Sequence, residues 1–350
     1  MTRIAAVRPA LPPYRYPQSE LTDAFAAICL PDGSGTALLR RIHANAGVSH
    51  RHLALPLEQY AGLKDFGAAN DAWIAAAVDL GAEAVAGAVK DAGLTLADVD
   101  VLMFTTVTGV AAPSIDARVA ARLGLREDVK RLPLFGLGCV GGAAGIARLH
   151  DYLSAWPSHV AVLLSVELCS LTLQRDDSSL PNLVGGALFG DGAAAVVLTG
   201  SEHPLASGPS VVATRSRLYP DSERVMGWDV GSGGFRIVLG ADVPDVVRTY
   251  LGDDVREFLG AAGLTVPEIG TWVSHPGGPK VLEAVAETLS LRPGALDLTW
   301  KSLDAVGNLS SSSVLHVLGD TLRLDPAPEG PGLLLAMGPG FCSELVLLEW

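Results

Sequence analysis

The amino-acid sequence predicts an α/β protein whose strands are covered by helices on both faces. Uninterrupted apolar runs, such as VDVLMFTT (99–106) and HVAVLLSVEL (159–168), are typical of strands buried on both sides. Ala-rich stretches with helical periodicity alternate with these runs, and the longest extends from Ala69 to Ala92. The chain has 350 residues, of which 49% are hydrophobic and 18% charged, so its length suffices for about two domains with a large core.

The remaining predicted elements continue this alternation along the chain. Strands are predicted at Ala193–Leu198, Val211–Arg217, Thr271–Ser274, Gly332–Met337 and Glu344–Trp350, and helices at Val243–Ala262 and Lys280–Leu289. The segment Ser201–Gly208 is polar and rich in residues that break regular structure. It predicts a junction between an N-terminal half, residues 1–205, and a C-terminal half, residues 206–350.

Each half contains one copy of a weakly similar segment. GCVGGAAGIARLHDYL begins at Gly138, and GNLSSSSVLHVLGDTL begins at Gly307. In both, a glycine and a polar or reactive residue precede a run of small residues and an amphipathic helix. We therefore predict two central helices that begin near Cys139 and Asn308, with two sheets packed around them.

Charge and composition exclude several classes of protein. The net charge is −13 with no basic block, which is unfavourable for binding nucleic acid. No run of 18 uncharged apolar residues predicts a membrane span, and arginines and prolines interrupt the N-terminus where a secretory signal would need an apolar segment. The four cysteines are widely spaced and match no zinc or CxxC pattern, which favours a cytoplasmic protein with reduced thiols.

Cys139 is a candidate nucleophile because only small residues surround it in FGLGCVGGAAG. Small neighbours allow a substrate carbonyl to approach the thiol. The positive end of a helix dipole would lower the pKa of a cysteine at this position. An inert cysteine in a tightly packed Gly/Ala helix is the equally weighted alternative.

His275 and Asn308 follow predicted turns in the second half of the chain. His275 ends an apolar strand and precedes a Pro-Gly-Gly-Pro turn, in which Gly277 and Gly278 present backbone N–H groups without side chains. Taken singly, the histidine is more often structural and the asparagine an ordinary helix cap. Together with Cys139 they provide a nucleophile, a base and an oxyanion donor, which suits acyl transfer and decarboxylation. We expect a thiolate–imidazolium pair. Papain-like proteases use the same residue types, but their local cysteine signature is absent.

Five motifs in order resemble the chalcone synthase-like, type III polyketide synthases, in particular bacterial alkylresorcinol and alkylpyrone synthases. They are GLGCVGG, ALFGDGAAA, SHPGGP, GNLSSSS and MGPGF. The resemblance implies a homodimer with a thiolase fold, in which two related βαβαβ halves form α-β-α-β-α layers. It also implies iterative decarboxylative condensation of malonyl-CoA or methylmalonyl-CoA onto an acyl-CoA starter, followed by closure to a pyrone or resorcinol. CoA thioesters are substrates, and neither metal nor other cofactor is implied.

The resemblance also assigns roles to single residues. Cys139 would carry the starter and the growing chain, while His275 and Asn308 would bind the thioester carbonyl and stabilise the enolate. Phe189 matches a gatekeeper aromatic, and Arg41 matches a residue that meets the CoA phosphates, with a solvated helix charge as the alternative. Positions that line or shape the cavity are matched by Val107, Thr108, Cys169, Thr172, Ile237, Ser310, Met337, Gly338 and Gly340.

Departures from the plant pattern leave the substrate open. Cys169 and Val107 stand where the plant enzymes carry threonines, which predicts an altered cavity with an apolar path for a medium or long acyl starter. One alternative is a tetrahydroxynaphthalene synthase that uses malonyl-CoA alone. A second is the ketoacyl synthase of fatty-acid initiation, whose histidine loop differs from SHPGGP and which needs a carrier protein. A third, from another class, is a non-catalytic acyl-CoA-binding scaffold.

Overall fold

The computed structural model describes residues 1–175, 177–205 and 207–350. Ala206, the first residue of the predicted C-terminal half, lies outside the described residues. The last strand before this point ends at Thr199 and the next begins at Ser210. The boundary between residues 205 and 206 stays a prediction.

Eleven α-helices and thirteen strands alternate within these ranges. The helices are α1 (Gln18–Cys29), α2 (Thr36–Ala44), α3 (Leu57–Tyr60), α4 (Phe66–Asp91), α5 (Ile115–Leu123), α6 (Gly141–Ala155), α7 (Leu180–Leu188), α8 (Val243–Ala261), α9 (Pro279–Thr288), α10 (Asp297–Val306) and α11 (Ser313–Leu322). The strands are β1 (Arg3–Ala10), β2 (Tyr14–Pro17), β3 (His50–Leu53), β4 (Val101–Thr106), β5 (Lys130–Phe135), β6 (Val160–Leu168), β7 (Asp191–Thr199), β8 (Ser210–Leu218), β9 (Met226–Gly231), β10 (Gly234–Leu239), β11 (Thr271–Ser274), β12 (Pro331–Gly338) and β13 (Cys342–Glu349).

Among the described residues, nine strands form one sheet in the order β11-β12-β13-β8-β1-β7-β6-β4-β5. Strand β4 runs parallel to β5 and β6, and β11 runs parallel to β12, whereas the other neighbours are antiparallel. The strands of the two halves are joined by one residue pair, Arg3 of β1 with Ser210 of β8. The prediction of two sheets is wrong in this respect. Strand β1 pairs with β7 at one edge and with β8 at the other, so the strands of both halves form one sheet.

The layers nevertheless follow the predicted α-β-α-β-α order. Helices α6 and α11 lie in the middle and share one apolar cluster with both parts of the sheet. The outer face of the first part packs on α4 and α5, and that of the second part packs on α8 and α9. Alternation within strands explains this division: Met103 faces the central helices and Phe104 faces α4.

The small residues at the start of α6 allow the central helices to approach closely. A Cβ atom on Gly142 would lie 2.4 Å from the carbonyl oxygen of Ser311, and one on Gly145 would lie 2.5 Å from Leu163 Cδ1. Any larger side chain at either position would push the layers apart. The glycine run around Cys139 is thus required by packing as well as by access to the thiol.

Helix α4 is long and apolar enough to cross a membrane by length and composition alone, and half of its most apolar window is buried inside the fold. Its side chains Trp73, Ala77 and Val85 lie in the core against the first part of the sheet. We therefore regard α4 as a core helix.

Candidate active site

Cys139 lies in a single 3-10 turn, Gly138–Val140, immediately before α6. Gly138 has φ of +53°, and a Cβ there would lie 2.7 Å from the Pro339 side chain, so the turn tolerates only glycine. Cys139 is 5% exposed, and its Sγ is 3.9 Å from Ser310 Oγ. The predicted position at the start of a central helix is confirmed.

The electrostatic surroundings of Cys139 differ from those expected. Burial raises the pKa of the thiol to about 12, and the nearby carboxylate of Glu167 acts in the same direction, while the hydroxyl of Ser310 acts against it. The predicted lowering of the Cys139 pKa is wrong, because desolvation of the thiol outweighs the effect of the helix end.

His275 directly follows β11, and its backbone N–H donates to the carbonyl oxygen of Leu335 at 2.9 Å, which extends the parallel pairing with β12. The side chain is 6% exposed, and neither ring nitrogen has a hydrogen-bond partner among the described residues. Burial lowers the pKa of His275 to about 3, so the imidazole is neutral. Burial of both groups therefore opposes the expected thiolate–imidazolium pair. A buried, unpaired imidazole is costly unless a ligand completes its hydrogen bonds.

Asn308 lies between α10 and α11, where its backbone N–H donates to the Leu188 carbonyl at 2.8 Å. Its Oδ1 accepts hydrogen bonds from the backbone N–H of Ser310 at 2.8 Å and from Ser313 Oγ at 3.4 Å. A backbone N–H can only donate, so the atom bound to Ser310 must be the amide oxygen. The amide nitrogen, Nδ2, is left to donate a hydrogen bond elsewhere.

Cys139, His275 and Asn308 line one cavity, although they come from three separate elements. The rest of its wall is largely apolar and comprises Leu188, Phe189, Met226, Leu239, Val243, Ser274, Gly277, Val281, Val285, Leu335, Met337 and Phe341. A cysteine sulfur, a neutral imidazole and an amide donor thus face one space with a largely apolar wall. This arrangement can perform acyl transfer on a thioester.

Two further cavities adjoin this first cavity, and Phe189 lines all three. The second cavity has both Cys139 and Cys169 in its wall, so it shares Cys139 with the first cavity. The third cavity shares Cys169 with the second. Of the predicted pocket residues, Val107, Ile237 and Ser310 line the second cavity, whereas Thr172 and Ile237 line the third. Phe189 therefore lies where the three cavities adjoin, and its role as a gatekeeper stays a prediction.

Other predicted site residues lie outside these walls. Thr108 belongs to a buried hydrogen-bond cluster, in which it accepts from Trp73 Nε1 at 3.1 Å and donates to Glu167 Oε2 at 3.0 Å. Arg41 is exposed in the last turn of α2.

The predicted glycines shape the backbone around the site. Gly278 caps α9 with φ of +126°. A Cβ on Gly338 would lie 3.3 Å from the backbone nitrogen of Cys139, and one on Gly340 would lie 2.9 Å from Leu218 Cδ1. Gly338 thus allows the loop after β12 to approach the nucleophile turn, whereas Gly340 contacts a neighbouring strand.

Sequence reasoning missed two components of the site. The hairpin of β9 and β10 covers the cavities with Met226, Trp228 and Leu239. The glycine-rich segment GSGG (231–234) is the sequence pattern that indicates this hairpin. The second component is Glu167, a buried carboxylate that accepts hydrogen bonds from Thr106, Thr108, Ser311 and the backbone of Val107. Burial raises its pKa.

Comparisons with known proteins cover nearly the whole chain. Residues 2–203 match the family description "Chalcone and stilbene synthases, N-terminal domain", and residues 210–349 match the corresponding C-terminal domain. A 1,3,6,8-tetrahydroxynaphthalene synthase of Streptomyces peucetius subsp. caesius is 62% identical over 352 residues, which span 100% of this chain and 93% of that protein. The enzyme of that name from Streptomyces griseus is 30% identical over 89% of this chain and 83% of its own length. The crystal structure of the Streptomyces coelicolor enzyme superposes with a TM-score of 0.93 at 28% identity, covering 99% of both chains.

Proposed function

Because the chain belongs to the chalcone and stilbene synthase family and is a type III polyketide synthase, we propose that it makes 1,3,6,8-tetrahydroxynaphthalene from malonyl-CoA alone. The observation that carries this proposal is the 62% identity, over the full chain, to an enzyme of that name. A naphthalene skeleton can be assembled entirely from two-carbon units, so no other starter is needed. Tetrahydroxynaphthalene synthesis is one of the alternatives that the sequence left open, and we favour it over an alkylresorcinol or alkylpyrone product.

We propose that loading begins with proton transfer from the Cys139 thiol to the neutral imidazole of His275. The sulfur then attacks the thioester carbonyl, whose oxygen accepts a hydrogen bond from Asn308 Nδ2. The bond between the carbonyl carbon and the CoA sulfur breaks, and the departing sulfur takes the proton from the imidazolium. In this scheme the ion pair forms during loading, since burial raises the pKa of Cys139 and lowers that of His275 and so favours the neutral form of each group.

Extension requires an enolate, which the same two donors would stabilise. The bond between the malonyl methylene carbon and its carboxylate breaks, CO2 leaves, and the electron pair moves toward the thioester oxygen. Asn308 Nδ2 and one N–H of His275 donate to that oxygen, in a buried cavity with a largely apolar wall. The enolate carbon then attacks the acyl group on Cys139, the C–S bond breaks, and the lengthened chain is released onto CoA for reloading.

Product analysis tests the proposed product directly. The purified enzyme, supplied with malonyl-CoA as its only substrate, is expected to release CO2 and a compound with the mass of tetrahydroxynaphthalene. Products that appear only after an acyl-CoA is added would refute the malonyl-CoA starter. Activity restricted to malonyl-carrier protein would indicate a ketoacyl synthase, and failure to release CO2 would indicate a scaffold.

In a second candidate function, the enzyme uses a medium or long acyl-CoA as its starter. It is favoured by the third cavity, which begins at Cys169 and continues between apolar side chains of Leu21, Phe25 and Leu173. A panel of acyl-CoA starters of increasing length, with products analysed by mass spectrometry, separates this candidate from the first. A specificity constant that rises with chain length would support it.

We also propose that the enzyme is a homodimer. Support comes from β5, an outer strand of the sheet, where Leu132 and Phe135 are 38% and 53% exposed. An exposed edge strand with apolar side chains favours pairing with another chain. Light scattering after gel filtration measures the mass in solution, and a monomer mass would refute the proposal. The predicted cytoplasmic location and the predicted lack of a metal or other cofactor stay predictions.

A further inference from the structure

We propose that Arg51 binds the free carboxylate end of the growing polyketide chain in the third cavity. This inference rests on the proposed function, in which the starter is a malonyl group and carries a carboxylate at the end farthest from its thioester. Arg51 belongs to β3 and lines the third cavity together with Cys169 and Phe189. Because those two residues also line the second cavity, the third cavity continues the path that leads away from Cys139.

The guanidinium of Arg51 is buried and uses only part of its hydrogen-bonding capacity. Arg51 is 5% exposed; its Nε donates to Gln18 Oε1 at 3.0 Å, and its Nη1 donates to the carbonyl oxygen of Phe189 at 2.8 Å. Among the described residues, Nη2 has no hydrogen-bond partner, although it is not sealed inside the protein. The N–H groups of Nη2 are thus left to donate to a ligand in the cavity.

The positive charge of Arg51 also lacks a direct partner. Burial lowers the pKa of Arg51 to about 10, although Asp191 acts in the opposite direction, so the side chain is cationic at neutral pH. The oxygens of Asp191 accept from the backbone N–H groups of Ala54 at 2.6 Å and Ser170 at 2.8 Å. In the part of the chain that the structure describes, no ion pair joins Asp191 to Arg51. A buried charge without a partner is costly, which indicates an anionic ligand.

The rest of the third cavity suits the uncharged part of such a chain. Its wall, as far as the structure describes it, is largely apolar and contains no acidic side chain and no other basic one. The hydroxyl of Thr172 donates to the carbonyl oxygen of Cys169 at 2.7 Å. The amide of Asn182 likewise donates to the carbonyl oxygen of Asp177 at 2.6 Å. An alkyl chain would fill this space but would leave the charge of Arg51 unpaired, whereas a carboxylate would pair with it.

The proposal requires that the starter keeps its carboxylate during extension. Loading transfers the malonyl group intact to Cys139, and only the later malonyl units lose CO2 as they are added. Each condensation lengthens the chain at its thioester end and moves the carboxylate away from Cys139. At ring formation the bond between the carboxylate and the neighbouring methylene carbon breaks, and CO2 leaves. The electron pair moves to the adjacent ketone oxygen, and water supplies a proton to the methylene carbon, so the product is still tetrahydroxynaphthalene.

The test measures the mass of the chains that are bound to Cys139. Wild type, Arg51→Met and Arg51→Lys are mixed with malonyl-CoA and quenched rapidly, and the acylated proteins are analysed by intact mass spectrometry. Wild-type chains should be heavier by the mass of CO2 than chains that begin with an acetyl group. In Arg51→Met, the ratio of long carboxylated chains to short chains should fall on the order of tenfold, because the free end is no longer held. Arg51→Lys keeps the charge and should restore most of the ratio.

Gln18→Met is the matched control, because it removes the partner of Arg51 Nε and leaves the positive charge in place. It should change the chain ratio by less than about twofold, whatever its effect on the overall rate. An equal fall in Gln18→Met, or an unchanged ratio in folded Arg51→Met, would overturn the assignment of Arg51. Wild-type chains without the extra mass of CO2 would also overturn it, and this measurement needs no variant. A wild-type protein that makes no tetrahydroxynaphthalene from malonyl-CoA alone would instead refute the proposed function.

Discussion

Replacing Asn308 by aspartate isolates one hydrogen-bond donor of the site. The carboxylate keeps the shape of the amide and can still accept from the backbone of Ser310 at 2.8 Å and from Ser313 at 3.4 Å. It lacks the Nδ2 donor, which is the atom assigned here to the oxyanion. The variant should therefore fold normally and lose transition-state stabilisation selectively.

The size of the effect follows from the burial of the site. Loss of one oxyanion donor lowers kcat by about 10²–10³, or about 2.7–4 kcal/mol. Asn308 is 2% exposed, so an ionised aspartate would also repel the developing negative charge with little screening by water. We expect the kcat of Asn308→Asp at pH 8 to be lower than that of the wild type by about 10³-fold, the upper end of that range.

The assay is release of CO2 from malonyl-CoA, measured between pH 5 and 8. A buried carboxyl group has a raised pKa, and its protonated form donates a hydrogen bond, so the loss relative to wild type should shrink as the pH falls. Asn70→Asp is the control, since the Oδ1 of Asn70 likewise accepts from a backbone N–H, that of Val110, away from the cavities. A folded Asn308→Asp protein within about tenfold of wild type at pH 8 would refute the assigned donor.

Three further predictions concern the other cavity residues. Cys139→Ala should form no acyl-enzyme in intact mass spectra while still releasing some CO2 from malonyl-CoA, because His275 and Asn308 remain; retained acylation would place the nucleophile elsewhere. Cys169→Phe should obstruct the passage between the second and third cavities and reduce kcat/KM for long starters more than for short ones, by about fourfold per buried methylene; an unchanged chain-length profile would exclude this path. Burial lowers the pKa of His275 from 6.5 to about 3, so between these pH values the unfolded chain binds a proton that the folded chain does not. As the pH falls below 6.5, this residue therefore lowers the free energy of unfolding by about 1.4 kcal/mol per pH unit. His275→Gln should make urea stability less dependent on pH between 6 and 4, and parallel curves for the two proteins would contradict the burial argument.

Local sequence patterns predicted much of the architecture. Strand β11 has the predicted bounds, and helix α8 ends one residue before its predicted end, because the periodicity of apolar residues is a local signal. The hairpin of β9 and β10 escaped detection, since its strands are half exposed and show no buried run. Strand β5 was missed as well, because a proline interrupts it and most of its side chains are exposed at the sheet edge.

The sequence by itself identified Cys139, His275 and Asn308 as candidates for the chemistry, because each lies in a distinctive local motif. Only the tertiary structure decided that they share one cavity and how each is surrounded. Their protonation depends on burial by distant parts of the chain, which raises the pKa of Cys139 and lowers that of His275. The orientation of the Asn308 amide likewise depends on its contacts with Ser310 and Ser313 in the folded chain. Desolvation and cavity shape arise from residues far apart in sequence, so no local pattern encodes them.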